Sequence, residues 1–197
     1  MRALRGVIVL VLALALPAPV LAADFQDGWE AYKRGDYKTA LKEWRLLAEQ
    51  GDPDSQYYLG RMYDRRIGVP EDNVEAVKWY RLAAAQDDAG AQFSLGVMYE
   101  KGSGIPQDYA EAAKWYRLAA EQGHAYGQAT VASMYAKGTG VIQNYVLAHM
   151  WFDLAAARMP AGEERELAVG NRDKIEKRMR LEQVAKAQRL AREWKPK

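Results

Sequence analysis

Apolar residues recur along this chain at helical spacing, and the stripes they form recur about every 36 residues. Trp44, Trp79, Trp115 and Trp151 stand 35, 36 and 36 residues apart, followed by Arg45, Tyr80, Tyr116 and Phe152. Four residues beyond each Trp come Ala48, Ala83, Ala119 and Ala155. Leu59-Gly60 and Leu95-Gly96 return as Val131-Ala132, and Met62-Tyr63, Met98-Tyr99 and Met134-Tyr135 keep the same step. Within 89–124, Ala91, Leu95, Met98 and Tyr99 form the apolar face of one helix. Gly102-Ser103-Gly104 ends it, since two glycines admit the positive φ that a helix end and its turn require. After an extended Ile105-Pro106, Asp108 and Glu111 stand at capping-box spacing and open a second helix, which is expected to bury Ala112, Trp115, Tyr116, Ala119 and Ala120. A two-helix unit at this period cannot bury its apolar face alone, and stacking on its neighbours makes a solenoid.

The three copies differ at informative places. Arg66 stands where the later copies have Gly102 and Gly138, Ala129 replaces the aromatic of Tyr57 and Phe93, and Asp87 stands where Gly51 and Gly123 end helices. Asp72 and Glu75 repeat the capping-box pair, while Asn144 is followed by Leu147. In outline the shared pattern runs YxLGxMY, then G-x-G-(V/I)-x-x-(D/N)-Y-x-x-A-x-x-W-(Y/F)-x-x-A-A. It resembles the Sel-one-like repeat (SLR) family, relatives of tetratricopeptide repeats with a longer Gly-rich turn inside the unit. The resemblance implies an all-α fold, a right-handed α-α superhelix of about five helical hairpins. Three units fall at 53–88, 89–124 and 125–160. Residues 23–52, with the short turn Arg34-Gly35-Asp36-Tyr37, form a tetratricopeptide-like N-terminal capping hairpin. Residues 161–197 carry the stripe Leu181, Val184, Ala187, Leu190, Ala191 and Trp194 and form C-terminal capping helices.

Residues 1–22 read differently. Arg2 and Arg5 precede an apolar run from Val7 to Leu16, broken by Pro17 and Pro19 and followed by Val20-Leu21-Ala22. This is the layout of a secretory signal peptide cleaved after Ala22, with a run short for a membrane span. A periplasmic or secreted protein is expected, with no stable membrane span after cleavage. The chain has no cysteine, so it has neither a disulfide framework nor a thiolate metal site. Without the leader the charges balance, but from Arg158 onward 12 basic residues face 7 acidic ones, leaving an equal negative excess over 23–157. Opposed halves suit docking on charged partners. Nucleic acid is not expected as a partner, because no net basic charge remains.

A binding face is sought where the copies vary. Tyr58, Arg61 and Arg65, then Ser94, Val97 and Lys101, then Thr130, Ser133 and Lys137 lie at i, i+3 and i+7, on one face of each first helix. Stacked, these faces would line a concave surface with Arg65, Lys101 and Lys137 as a basic ladder and Tyr58 and Arg61 as anchors. Solvated helix faces give the same pattern, and the helix dipole favours cations in a last turn. Charge reversal of Arg61, Arg65 and Lys101 is expected to abolish capture and leave melting unchanged. The Trp ladder reads as core, and Gln56, Gln92 and Gln128 as a repeated structural hydrogen bond.

Catalytic patterns are missing. His124 and His149 lack the spacing of a metal pair, no serine stands in GxSxG or SxxK, and Gly102-Ser103-Gly104 follows a helix, where a phosphate loop would follow a strand. No cofactor and no enzyme is expected. The resemblance implies a non-catalytic protein–protein interaction scaffold or adaptor of the bacterial cell envelope, binding a peptide or protein loop on its concave face. Its partner would be an unidentified envelope or secreted protein. A glycan or peptidoglycan-fragment binder is the alternative. A β-lactam-hydrolysing SLR enzyme is a further one, although this chain lacks the cysteines of such relatives.

Overall fold

Short polar side chains start most helices of this computed structural model, which describes residues 24–197. Asp36, Asp52, Asp72, Asp88 and Asp108 each accept a backbone N–H from the residue three positions on, and Asn144 does the same at 3.1 Å. Each satisfies a donor that the first turn leaves orphaned. The second half of the expected capping box is not made. The Glu75 carboxylate turns outward to the Trp79 indole N–H at 2.9 Å and to Lys78, and Glu111 turns to Lys114. The signal peptide proposed for residues 1–22 lies outside the described residues.

The described residues form ten helices: α1 (Phe25–Lys33), α2 (Tyr37–Glu49), α3 (Pro53–Asp64), α4 (Asn73–Ala84), α5 (Ala89–Lys101), α6 (Tyr109–Glu121), α7 (Ala125–Lys137), α8 (Tyr145–Arg158), α9 (Glu163–Glu176) and α10 (Leu181–Glu193). From α1 to α9 each helix packs on the next, so pairs stack on pairs and the fold is an α-solenoid. At the C-terminal end α9 and α10 both dock on α8. Among the described residues no helix is long and apolar enough to cross a membrane.

The centre of the first two units is a tyrosine against a glycine. Tyr80 and Tyr116 are almost fully buried. A Cβ on Gly60 would lie 2.7 Å from the Tyr80 ring, and one on Gly96 would lie 2.6 Å from the Tyr116 ring. The missing Cβ is therefore the slot the ring occupies. Each hydroxyl donates to a carboxylate on the first helix: Tyr80 to Asp64 at 3.3 Å and Tyr116 to Glu100 at 2.6 Å. Burial and the neighbouring carboxylate push both phenols well above the usual tyrosine range. The third unit changes all three partners together, to Ala132, Phe152 and Ala136.

This corrects the expectation that the Trp ladder is core throughout. Trp44 and Trp151 are buried, but Trp79 and Trp115 are only half-buried, because Tyr80 and Tyr116 take the interior slot. The glutamines do as expected. Gln56, Gln92 and Gln128 donate to the carbonyls of Ala48, Ala84 and Ala120. Each of these carbonyls belongs to the preceding hairpin, and within a unit Gln86 and Gln122 donate in turn to Gln56 and Gln92, each at 2.9 Å. The rung that would follow is Arg158, whose guanidinium lies 4.4 Å from the Trp194 ring centroid, and the Gln128 Oε1 has no partner among the described residues.

Candidate protein-interaction surface

The nine candidate positions, on α3 and its C-cap Arg65, α5 and α7, fall into two environments. Tyr58 is half-buried, its ring 4.9 Å from Trp44, 5.4 Å from Trp29 and 5.6 Å from Phe25. Arg61 lies over the Tyr57 and Tyr58 rings, at 5.6 and 5.4 Å from their centroids, and its Nε is buried without a partner. The N-terminal hairpin thus covers part of this face. Reversing Arg61 would disturb packing as well as charge, so the expectation that melting stays unchanged does not hold for that residue. Ser94 lies beside the Tyr80 hydroxyl, and Val97 packs against the C-terminal core. Arg65, Lys101 and Lys137 are exposed and form no ion pair with a described residue.

Thr130, Ser133 and Lys137 are brought together. They line a groove between α7 and α9, formed by two adjoining hollows of about 210 and 300 Å³ that share Ser133, Phe152 and Asn171. The α9 wall was not among the candidates. It offers Leu167, Asn171 and Lys174, with Arg178 in the turn that follows. These repeat the spacing of Tyr126, Thr130, Ser133 and Lys137 at a step of 41 residues (167 − 126 and 178 − 137). The signal was in the sequence, shifted five residues from the 36-residue register. Leu167 is 61% exposed and Tyr126 48%, both at the same end of the groove.

The histidines serve structure. The His124 Nδ1 accepts the Gly127 N–H at 3.1 Å and caps α7, as Asp52 and Asp88 cap α3 and α5. Its ring stacks on Phe93 at 4.8 Å, and burial pushes its pKa down. His149 is buried, with Nε2 3.0 Å from Glu176. Among the described residues no cluster of three His, Cys, Asp or Glu side chains could hold a metal.

Stacked helix pairs with a left-handed turn inside each unit, Gly-x-Gly in the second and third and Arg66-Ile67-Gly68 in the first, define a tetratricopeptide-like solenoid. The chain belongs to the Sel1 repeat family: the family model matches residues 53–88, 89–124 and 125–158. A solved Sel1 repeat protein from Oxalobacter formigenes is 39% identical, with a TM-score of 0.66 over 69% of this chain and 54% of its own. A protective antigen of uropathogenic Escherichia coli with an SLR fold is 29% identical, with a TM-score of 0.58 over 86% of this chain and 44% of its own. A Rhizobium leguminosarum protein named an exopolysaccharide production negative regulator is 33% identical over 34% of this chain and 30% of its own length. This chain therefore spans about half of these structural relatives and under a third of that regulator. Sel1 repeat proteins are generally non-enzymatic protein-interaction scaffolds.

Proposed function

We propose that this protein is a non-catalytic interaction scaffold of the bacterial cell envelope, exported by the segment ending at Ala22, and that it holds a peptide or loop of an envelope or secreted protein. The observation that carries this reading is one exposed cation at the end of each first helix, Arg65, Lys101 and Lys137, none of them in an ion pair with a described residue. A helix terminus favours such a cation by about 0.3–1 kcal/mol, but that does not require every one of them to lack a carboxylate partner. A row of free charges on stacked helices steers and orients an oppositely charged partner.

The test is crosslinking in cells of the tagged protein, with mass spectrometry of what it captures. Arg65→Glu/Lys101→Glu/Lys137→Glu runs alongside, all three positions being exposed. One dominant protein captured by the wild type and lost in the folded variant is the expected result. No captured protein, or undiminished capture by the variant, refutes the reading. N-terminal sequencing of the exported protein should begin at Ala23, and an intact leader would refute the export step.

A further inference from the structure

We infer that the groove between α7 and α9 is the peptide seat, and that it takes an extended segment carrying a large apolar residue about five residues from a pair of carboxylates. This rests on the scaffold reading and makes it specific.

The third unit departs from its sisters where the groove needs it to. Between α3 and α5 the gap is filled by Tyr57, whose ring would lie 2.9 Å from a Cβ on Gly90. Between α5 and α7 it is filled by Phe93, stacked on His124 at 4.8 Å. The equivalent residue at the third junction is Ala129, and it lines the groove. Replacing a ring by a methyl group leaves the space open. Phe152 and Ala136, the third unit's substitutes for the tyrosine and its carboxylate acceptor, form the floor beside it.

The same substitutions set the charge. In the first two units the terminal cation follows directly on a carboxylate, Asp64 before Arg65 and Glu100 before Lys101; in the third, Ala136 precedes Lys137. Other acids nearby are occupied. Asp153 and Asp173 pair with Arg172 at 2.9 and 2.8 Å, and Glu176 lies 3.0 Å from His149. Lys137, Lys174 and Arg178 meet at this end without a partner among the described residues. The helix ends alone would favour cations in every unit; only in the third is no carboxylate adjacent in sequence to the terminal cation of the first helix.

The opposite end is apolar, with Tyr126, Leu167 and Met159, and carries Glu164. An acidic segment is repelled there and drawn to the basic end, which fixes its direction. Asn171 lies between the ends, its amide suited to a peptide group. From Tyr126 to Lys137 is eleven residues of helix, about 16 Å. An extended chain covers that in about five residues.

The experiment uses the exported chain and synthetic ten-residue peptides of Gly, Ser and Ala. Each carries one Leu or Phe and one Asp-Glu pair set from one to eight positions apart, with Asn-Gln controls. Binding should peak near a spacing of five and vanish in the controls. Lys137→Glu/Lys174→Glu should weaken it at least about tenfold. Ala129→Phe should abolish it by restoring the ring the other junctions carry, and Ala136→Glu should weaken it. Arg65→Glu should not change it. Binding that is independent of spacing or charge, or that survives Ala129→Phe in a folded variant, overturns the groove. If no peptide binds but cellular crosslinking still captures a partner, the groove falls and the scaffold reading stands. If both fail, both readings fall.

Discussion

Gly104→Ala should destabilise the solenoid far more than a φ penalty alone would, because this glycine is where one unit rests on the previous one. Gly104 has φ +68°, and a Cβ there would lie 2.2 Å from the Asn73 carbonyl oxygen and 2.8 Å from the Val74 nitrogen, at the start of α4. Gly140 repeats the arrangement on α6, 2.1 Å from the Tyr109 oxygen. The left-handed conformation costs a side chain about 1–2 kcal/mol. Ordinary van der Waals contact begins near 3.4 Å, so the turn must retreat by more than 1 Å from rigid backbone. Such overpacking costs about 1–3 kcal/mol more, giving about 2–5 kcal/mol in total. Gly35→Ala is the control, with φ +80° and nothing within 4 Å, so it carries the φ cost alone. With a urea slope of about 2 kcal/mol/M, the control should lower the midpoint by about 0.5–1 M and Gly104→Ala by about 1–2.5 M. Circular dichroism and Trp fluorescence must report the same transition for the comparison to hold. Equal shifts for the two variants would refute the close approach between units.

Three further outcomes are expected. Arg66 and Asp87 are the non-glycine residues with positive φ among those described, at 56° and 63°, and nothing in the structure explains Arg66. Arg66→Gly and Asp87→Gly should each stabilise the fold by about 0.5–1 kcal/mol, and a lower urea midpoint in both would refute the strain. Tyr116→Phe and Glu100→Ala should each cost about 1–2 kcal/mol by breaking the 2.6 Å hydrogen bond, yet the double variant should cost about 1 kcal/mol less than their sum. A cycle without coupling would refute the bond's contribution. Burial lowers the His124 pKa in the folded state from its ordinary 6.5, so the unfolded chain binds the proton first. Stability is full above that value and falls as pH drops through it towards the folded pKa. Replacing His124 by Asp, as Asp52 and Asp88 cap the sister helices, should flatten that part of the melting profile; an unchanged slope sinks the assignment.

The periodicity made the helices, their order and most caps legible, because those depend on residues close in sequence. The choice between Trp and Tyr as the interior ring was not legible from the helix stripe, since both neighbours lie near the same face. Gly60 and Gly96, on the partner helix, decide it through the space they leave, and the paired change to Ala132 and Phe152 was the available clue. Residue type alone marks Tyr58 and Arg61 as anchors of an open face. Whether Phe25 and Trp29 reach over them depends on how the first hairpin docks, which no spacing within α3 reveals. The α9 wall is hidden by its 41-residue step, although its stripe repeats the spacing of the α7 stripe.

Departures from a repeat therefore separate by what stands opposite each one. Arg158 breaks the glutamine ladder and meets Trp194; His124 replaces an aspartate cap and stacks on Phe93. Each has a compensating contact inside the fold. Ala129, Ala136 and Phe152 differ in kind: they remove a ring, a carboxylate and a hydroxyl, and the described residues put nothing in their place. Removing packing and hydrogen bonds from a terminal unit costs stability unless the opened surface is used. Loss of core at a solenoid end would by itself scatter such changes over the unit, and capping would make the exposed face more polar. Here they converge on one groove, apolar at one end and basic at the other, which favours use over erosion.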